Sequence, residues 1–302
     1  MNVLVTGGAG LIGMAVRDTL AARGHKITAI DITDYGRDDK GLILLGLDQR
    51  APLEALIDAN RIDAIVHAGA ISGPMLAKGR PLSLVGANID CTALLLDIAR
   101  VKALRRFVFC SSISVYGNVG KATIHEERPL HPTSVYGATK VACEQLIEGF
   151  AAEFGLSGVS LRIGRVYGPY RRAHCHLGAI IRNADAGRES EIACSHDFPF
   201  HYVYVDDVAD AIAAALEADR IPGFAYNVGG GVALTMPNIA AIAETTIPRA
   251  RVRMIPGEDD VPDVQTAFDL SRARADLGWA PTRDLAEGLR AYAAAIHAGR
   301  AA

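Results

Sequence analysis

The sequence is poor in several features that would indicate particular classes of protein. Acidic and basic residues nearly cancel to a formal net charge of -3, which argues against a nucleic-acid-binding surface. No apolar run approaches the roughly 20 residues that a membrane-spanning helix needs. An apolar strand begins almost at residue 1, which leaves no room for a signal peptide. We therefore expect a cytoplasmic protein with no nucleic-acid partner and no membrane partner.

Cysteine is also scarce and irregularly placed. The five cysteines stand at positions 91, 110, 143, 175 and 194, and none belongs to a C-x-x-C pair. An odd, scattered set is typical of reduced thiols. The segment His174-Cys175-His176 contains metal-ligating residue types, but no second ligand pair stands at a suitable spacing for zinc. We expect no metal and assign this segment to a loop that faces the substrate.

The most informative stretch opens the chain. An apolar run, Val3–Val5, is followed by glycines at 7, 10 and 13, and apolar residues then return at helical spacing. This order predicts a strand, a tight turn and a helix. Gly7 permits the turn, Gly10 lets a pyrophosphate approach the backbone, and Gly13 lets the helix pack against the strand. The helix N-terminus then offers free N–H groups to the phosphates.

The next two apolar runs end in carboxylates. Asp31 stands about 20 residues beyond the glycines, where an acid binds the hydroxyl pair of a ribose. It would repel a 2′-phosphate, and no Arg or Lys follows directly, so NAD is favoured over NADP. The run Leu42–Leu47 is predicted as a strand buried on both faces. Asp48 then has two interpretations, an acceptor for the adenine amino group or an N-cap for a helix over 51–59.

Further along, strands and helices alternate as far as Gly164. A strand over Ile62–His67 leads into small residues from Ala68 that suit a backbone lying against a cofactor, although a lone His67 is more typical of a packed histidine. Such alternation predicts an α/β fold with a doubly wound parallel sheet of the Rossmann type. The alternation weakens beyond Gly164. We therefore predict an NAD-binding domain over 1–165 and 200–232, and a smaller C-terminal α/β substrate lobe over 166–199 and 233–302.

Two features of the second half have structural interpretations. Asp206-Asp207 directly precede a predicted helix, which favours N-caps over a paired-acid site. Trp279, the single tryptophan of the chain, is predicted to lie in the core of the smaller lobe.

Tyr136 and Lys140 form the decisive pair. They stand four residues apart on a helix predicted over 134–154, so the ammonium group can lie near the phenol. The ammonium, a cationic nicotinamide ring and the first helical turn all favour the phenolate. Such a tyrosine can remove an alcohol proton while hydride leaves the same carbon for NAD. Ser112, at the end of the strand before, can hydrogen-bond the developing carbonyl oxygen, with Ser111 as the competing assignment.

Taken together, the motifs resemble those of the extended short-chain dehydrogenase/reductases, specifically the NAD-dependent sugar epimerase/dehydratase group. They are TGGAGLIG at 6–13, VHAGA at 66–70, SSISVYG at 111–117, SVYGATK at 134–140, RVYGP at 165–169, VYVDDVADA at 203–211 and LGWAP at 277–281. The resemblance implies a catalytic triad of Ser112, Tyr136 and Lys140, with Lys140 also holding the nicotinamide ribose. It further implies that Asn88 supports the nearby helix and active site. Related proteins form homodimers through helices equivalent to 81–100 and 134–154.

Departures from the family pattern bear on the substrate. Ile113-Ser114 stand where sugar 4,6-dehydratases carry an Asp-Glu pair, which argues against dehydration. Phe200-His201-Tyr202 replace the Arg-Asp-Phe run of nucleotide-sugar epimerases, and Arg165 replaces their Asn. The late arginine before Gly-Asp is missing around Gly257-Glu258-Asp259.

A diphosphate would normally need cationic partners. The arginines that could replace the missing ones are Arg165, Arg171, Arg172 and Arg188. Equally, one of them could bind the single carboxylate of a sugar acid.

The sequence thus predicts NAD-dependent oxidoreductase chemistry on a sugar hydroxyl. The main hypothesis is a nucleotide-sugar epimerase that works through a transient keto sugar. The alternative is a net NAD-dependent dehydrogenase of a non-nucleotide sugar or sugar acid, and a non-catalytic NAD sensor would have no need of the triad. The predicted NAD-binding residues are Gly7, Gly10, Leu11, Ile12, Gly13, Asp31, Asp48, His67, Ala68, Asn88, Tyr136, Lys140 and Ile163. The predicted substrate-binding residues are Ser72, Ser112, Arg165 and Arg171.

Overall fold

A parallel sheet with helices on both faces organises the molecule. The structure is a computed structural model that describes residues 1–73, 79–259 and 263–299. The strands are β1 Asn2–Thr6, β2 Lys26–Asp31, β3 Leu42–Leu44, β4 Ala64–His67, β5 Arg106–Ser112, β6 Gly120–Ile124, β7 Gly158–Ile163, β8 Arg165–Tyr167, β9 Ser190–Ala193, β10 Tyr202–Tyr204, β11 Ala225–Val228, β12 Val252–Ile255 and β13 Gln265–Phe268. The helices are α1 Leu11–Ala22, α2 Arg50–Asn60, α3 Pro81–Leu84, α4 Cys91–Val101, α5 Val135–Phe154, α6 His176–Asp185, α7 Val205–Glu217, α8 Met236–Thr246, α9 Ser271–Leu277 and α10 Leu285–His297.

The main sheet has the strand order β11-β7-β5-β4-β1-β2-β3, and every neighbouring pair is parallel. The chain runs outward from β1 in one direction and from β4 in the other, so the strand order reverses between these two strands. Ligands of open α/β sheets bind at the carboxyl ends of the strands beside such a switch point. The predicted doubly wound Rossmann fold is confirmed.

Alternate residues of the central strands pack into two cores on opposite faces of this sheet. Val3 and Val5 of β1 belong to one core, and Leu4 between them belongs to the other. This follows from the two-residue period of a strand. The first core contains side chains of α1 and α7, and the second contains side chains of α2, α4 and α5. Both faces of the sheet are therefore covered.

The helical stretch Pro81–Val101 runs through α3, a π-helical segment over Val85–Asp90, and α4. It is the one stretch of the described residues that is long and apolar enough to cross a membrane by length and composition. Leu95, Leu96 and Ile98 are fully buried against the sheet and α5. One face of the stretch thus packs against the fold, and 39% of its 18-residue apolar window is buried.

Three pairs of short parallel strands lie outside the main sheet, β8 with β10, β9 with β12, and β6 with β13. The pairing of β6 with β13 was not anticipated from the sequence. The first core continues without a break into α6 and α10, where Leu177 and Tyr292 are buried. Trp279 is buried, but in the core that the main sheet shares and not in a separate core of a smaller lobe, and its Nε1 donates to the carbonyl oxygen of Asp207 at 3.0 Å. The boundaries of the two predicted domains stay a prediction.

The prediction of a strand buried on both faces over Leu42–Leu47 is wrong. β3 ends at Leu44 and forms the edge of the sheet, with β2 as its neighbour. Leu44 is 61% exposed. Leu45 and Leu47 leave the strand and line the cleft described below. The first half of the apolar run thus forms an edge strand, and Leu45 and Leu47 form part of the cleft wall.

The prediction that Asp206 and Asp207 are N-caps is also wrong. Tyr204 is the N-cap of α7, and both carboxylates lie within the first turn of that helix, where negative charge is favourable. Asp207 is buried, and its Oδ1 accepts from the backbone N and the Oγ1 of Thr282 at 3.1 and 2.7 Å. Asp207 thus attaches the segment before α10 to α7.

Candidate active site

A cleft of about 1080 Å³ lies at the carboxyl edge of the main sheet. The turn after β1, the ends of β2, β4 and β5, and the segment after β8 contribute to its walls. This volume is slightly above the ~300–1,000 Å³ of typical ligand pockets. Most of the predicted site residues line this cleft. Those that do are Gly7, Gly10, Leu11, Ile12, Gly13, Asp31, Asp48, Ala68, Ser72, Ser112, Tyr136, Ile163, Arg165 and Arg171.

The glycine-rich turn has the shape that a dinucleotide pyrophosphate requires. Gly7 has φ +66°, and a Cβ on it would lie 2.7 Å from the backbone N of Gly69. A Cβ on Gly13 would lie only 2.0 Å from the carbonyl oxygen of Gly7. Only glycine therefore fits both positions without moving the backbone. Gly10 is the N-cap of α1 and supplies no side-chain cap, so the first N–H groups of that helix face the cleft wall without a capping side chain.

Two carboxylates line the cleft beyond this turn. Asp31 ends β2, and its Oδ2 accepts from the backbone N of Ala9 at 3.1 Å. This bond fixes the carboxylate beside the glycine-rich turn, as a ribose-binding acid requires. Asp48 lines the same cleft. The N-cap interpretation of Asp48 is wrong, because α2 begins at Arg50 and Gln49 occupies the N-cap position.

His67 does not line the cleft, which corrects its prediction as a cofactor-binding side chain. It is 1% exposed, and its Nδ1 and Nε2 lie 2.7 and 3.0 Å from the hydroxyls of Thr6 and Thr92. Burial, together with the charge of Lys140, lowers its pKa to about 3. Both ring nitrogens are used inside the protein, so His67 holds α4 against the ends of β1 and β4.

Asn88 likewise lies beneath the cleft wall, so the prediction that it binds cofactor directly is wrong. Its Oδ1 accepts from the backbone N of Ile71 at 2.9 Å, and its Nδ2 donates to Thr139 Oγ1 at 3.0 Å. Asn88 thus connects a cleft-lining loop to α5 one residue before Lys140. It sits in the π-helical segment, a local distortion that is frequent at functional sites.

The structure separates the two candidate serines at the end of β5. Ser111 is buried, and its Oγ donates to Glu144 Oε1 at 2.5 Å. Ser112 faces the cleft, and its Oγ accepts from the backbone N of Ser114 at 3.2 Å. Both serines border the cleft, but the Ser111 hydroxyl is already used by Glu144, so of the two candidates Ser112 is the better placed for a substrate oxygen.

Tyr136 lines the cleft from the first turn of α5, whose N-cap Ser134 accepts from the backbone N of Gly137 at 3.1 Å. Lys140 lies one helical turn further on and is 3% exposed. Its Nζ donates to the carbonyl oxygen of Cys110 at 2.7 Å and lies 5.9 Å from the centroid of the Tyr136 ring. The ammonium therefore stands beside the phenol, as the four-residue spacing predicts.

The far end of the cleft carries a charge pair instead of free arginines. Arg165 donates twice to the Asp259 carboxylate, at 2.6 and 3.0 Å, and lies 5.0 Å from the centroid of the Phe200 ring. Burial opposes the charge of Arg165, yet Asp259 keeps the pKa of its guanidinium above the usual value. His176 Nε2 lies 3.3 Å from the same carboxylate. Most of the positive charge of Arg165 is thus compensated inside the protein.

The other predicted arginines are divided between the cleft and the surface. Arg171 lines the cleft and donates to the carbonyl oxygen of Val166 at 2.7 Å. Arg172 also lines the cleft. Arg188 is exposed outside it and donates to Asn183 Oδ1 at 3.1 Å. His174, Cys175 and His176 line the cleft as expected for a substrate-facing loop, and no metal-binding group of three or more ligands occurs within the described residues.

Sequence reasoning gave no role to Asp259 or His201, which both line the cleft. Asp259 is held by Arg165, 94 residues away. His201 is buried, and its Nε2 contacts the carbonyl oxygen of Gln265. Burial lowers the pKa of His201 to about 4, with a further contribution from the charge of Arg165. At both positions the sequence departs from the family pattern, and this departure could have identified them as site residues.

This fold and cleft define an enzyme of the extended short-chain dehydrogenase/reductase class. The family model described as "NAD dependent epimerase/dehydratase family" matches residues 3–229, and the chain belongs to that family. The predicted family and its NAD dependence are thereby confirmed. The glycine-rich turn, the Asp31 carboxylate and the adjoining cleft fit that cofactor.

Similar proteins are found along the whole chain. A UDP-glucose 4-epimerase of Mycolicibacterium smegmatis is 30% identical over 312 residues, covering 96% of this chain and 96% of that protein. A crystal structure of the UDP-glucose 4-epimerase of Thermotoga maritima with UDP-glucose has a TM-score of 0.89 and 26% identity, covering 99% of both chains. The UDP-glucuronic acid 4-epimerase of Bacillus cereus with UDP-glucuronic acid and NAD has a TM-score of 0.84 and 26% identity, also covering 99% of both chains.

Proposed function

We propose that this protein epimerises a hydroxyl-bearing carbon of a nucleotide sugar, through a transient keto sugar and with NAD retained between turnovers. One observation carries the proposal: Tyr136 and Ser112 line the same cleft as the glycine-rich turn, with the Lys140 ammonium beside the phenol. Similarity to UDP-glucose and UDP-glucuronic acid 4-epimerases supports the same function.

The side chains divide the chemistry between them. Ser112 Oγ hydrogen-bonds the sugar oxygen and orients it toward Tyr136. The Tyr136 oxygen accepts the hydroxyl proton as general base, with the Lys140 ammonium beside the phenol. When bound, NAD supplies the acceptor for the hydride that leaves the same carbon. Tyr136 returns the proton when the keto sugar is reduced on its opposite face.

Lys140 depends on its surroundings for this role. Its Nζ is held by the carbonyl oxygen of Cys110 at 2.7 Å and lies 4.5 Å from the centroid of the Phe109 ring. Both contacts stabilise a cation. They hold the ammonium in position beside Tyr136, and Lys140 is itself buried.

A second candidate function is net dehydrogenation of a non-nucleotide sugar or sugar acid. It is favoured by the far end of the cleft, where Asp259 compensates Arg165 and Phe200 stands where nucleotide-sugar epimerases carry arginine. A diphosphate meets a carboxylate there. Arg171 and Arg172 are then the cations of the cleft wall that remain for an anionic substrate.

The experiment that separates the two functions offers purified protein two panels with excess NAD. One panel contains nucleotide sugars, and the other contains free sugars, sugar acids and lactones. The proposal predicts interconverted nucleotide sugars by chromatography and no net NADH absorbance. Steady NADH formation on the second panel, with the first panel unchanged, would replace the epimerase by the dehydrogenase.

A homodimer is the assembly that we propose. Apolar side chains on the outer helices are exposed in the single chain, with Leu82 83%, Val101 52%, Val135 47% and Phe154 48% accessible. Burying such residues against a second copy is favourable. Sedimentation equilibrium tests this, since a dimer has twice the mass of the 32.0 kDa chain. The cytoplasmic location expected from the sequence stays a prediction.

A further inference from the structure

Two loops meet across the cleft through alternating aromatic and arginine side chains. Tyr35 and Arg37 lie in the loop after β2, and Tyr170 and Arg172 lie in the segment after β8. The Arg172 guanidinium lies 4.6 Å from the centroid of the Tyr35 ring and also donates to the Tyr35 carbonyl oxygen at 3.4 Å. Arg37 lies 5.6 Å from the Tyr35 ring and 5.5 Å from the Tyr170 ring. We call these four residues the clasp.

The clasp is anchored to the glycine-rich turn. Arg37 Nη2 donates to the carbonyl oxygen of Ala9 at 2.5 Å, and Arg37 Nε lies 3.4 Å from the carbonyl oxygen of Asp34. Tyr35, Tyr170 and Arg172 all line the cleft that begins at this turn. The contacts across the cleft therefore lie close to the place where the turn receives a pyrophosphate.

Both tyrosines of the clasp have backbone conformations that aromatic residues rarely adopt. Tyr35 has φ +57° and Tyr170 has φ +69°. A bulky residue in the left-handed region persists only where its surroundings determine it, and such residues are concentrated in ligand clamps and active sites. Two of them meet here, one on each side of the cleft.

The charge of the clasp suits a dinucleotide. Neither Arg37 nor Arg172 has an ion-pair partner among the described residues, whereas Arg17 nearby is paired with Asp39 at 2.5 Å. The two guanidinium groups are held by aromatic rings and carbonyl oxygens instead. Arg172, which lines the cleft, therefore offers its positive charge to a pyrophosphate there.

We propose that the clasp retains NAD, with Tyr35 and Arg172 closing over the dinucleotide and parting when it leaves. The inference deepens the proposed function, because an epimerase keeps its NAD between turnovers. The inference concerns only the release of the cofactor, so it can be tested without a sugar substrate. It also assigns a cofactor-retaining role to residues on both sides of the cleft. Tyr170 and Arg172, on one side, belong to the predicted substrate lobe.

The test measures NAD release directly. Purified protein is loaded with radiolabelled NAD, and an excess of unlabelled NAD is added. The loss of bound label is then followed for the wild type, Tyr35→Ala, Arg172→Ala and the double variant. We expect each single variant to release NAD roughly tenfold faster, the scale of one cation–π contact with its attendant hydrogen bond. The double variant is expected to be no faster than the faster single variant, because both changes break one bridge.

The control is Arg290→Ala, which removes an exposed arginine of α10 outside the cleft. It should release NAD at the wild-type rate. Thermal unfolding without added NAD verifies that every variant is folded. The proposal is overturned if Arg172→Ala accelerates release while Tyr35→Ala does not, since Arg172 then acts as a simple phosphate contact. It is also overturned if all rates equal that of the wild type. Epimerisation is assayed separately, so inactivity toward sugars with altered release rates would reject the proposed function and leave the clasp standing.

Discussion

The buried ion pair behind the active site supports a sharp prediction about stability. Arg162 donates to Glu144 through Nη2 at 2.7 Å and through Nε at 3.1 and 3.2 Å, and the two side chains are 5% and 1% exposed. Arg162 Nη1 donates to the Tyr116 hydroxyl at 2.9 Å and to the carbonyl oxygen of Glu126 at 2.8 Å. Glu144 also accepts from Ser111, the neighbour of Ser112. The pair therefore holds α5 against β7, and the Ser111 bond adds the end of β5.

Glu144→Gln keeps the shape of this side chain and removes its charge. Arg162 is then left as an uncompensated cation in the interior. Breaking a buried pair from one side costs about 3–5 kcal/mol. We expect a loss of that size in the free energy of unfolding, measured by urea denaturation at constant pH. Fluorescence of the single tryptophan, Trp279, which is 5% exposed, reports the transition.

Two further variants complete this test. Glu153→Gln removes an exposed carboxylate from the last turn of the same helix and should change stability by less than about 0.5 kcal/mol. The double variant Glu144→Leu with Arg162→Met leaves no charge behind and should lose less than the sum of the single losses. If Glu144→Gln cost no more than Glu153→Gln, the reasoning about the buried pair would be refuted.

Three other predictions concern the cofactor end of the protein. Gly13→Ala should weaken NAD binding at least tenfold, measured by calorimetry, because the added Cβ would lie 2.0 Å from the Gly7 carbonyl oxygen. Gly149→Ala is the control and should bind NAD normally, since no atom lies within 4 Å of its added Cβ. Burial, together with the charge of Lys140, lowers the pKa of His67 from 6.5 to about 3. The contribution of neutral His67 to the free energy of unfolding is therefore fully present above pH 6.5 and is lost as the pH falls. The expected loss is ~1.4 kcal/mol between pH 7.5 and 5.5. Urea denaturation across that range should give a flatter profile for His67→Asn, and identical profiles would contradict the assignment. Asp31→Ser should improve NADP binding relative to NAD at least tenfold, because it removes a carboxylate that repels the 2′-phosphate, and an unchanged preference would show that Asp31 does not face the ribose.

The parts of the site that the sequence predicted depend on local geometry. Tyr136 and Lys140 meet because residues four apart share a helix face, and the glycine-rich turn is specified within a few residues. Both could therefore be predicted without knowledge of the rest of the fold. The doubly wound parallel sheet likewise followed from the alternation of strands and helices.

The parts that the sequence did not predict depend on contacts between distant residues. Arg172 reaches Tyr35 across 137 residues, and Arg165 reaches Asp259 across 94. No local pattern specifies such pairs. His67 was misassigned for a related reason, because its β-register partner is Thr6, and the two side chains hydrogen-bond each other below the cleft. The β6–β13 pairing was not predicted because these strands are short and their first paired positions, Gly120 and Gln265, are 145 residues apart in the chain.

The central claim is that Tyr136 moves the proton of the sugar hydroxyl, and one substitution tests it most directly. Tyr136→Phe removes the phenolic oxygen and leaves the ring in place. On the substrate identified from the two panels, we expect kcat to fall by ~10²–10⁴-fold, the usual contribution of a positioned acid–base group, with NAD affinity and thermal stability unchanged. Tyr292→Phe, which alters a buried tyrosine outside the cleft, should retain full activity. Wild-type turnover by Tyr136→Phe would contradict the account.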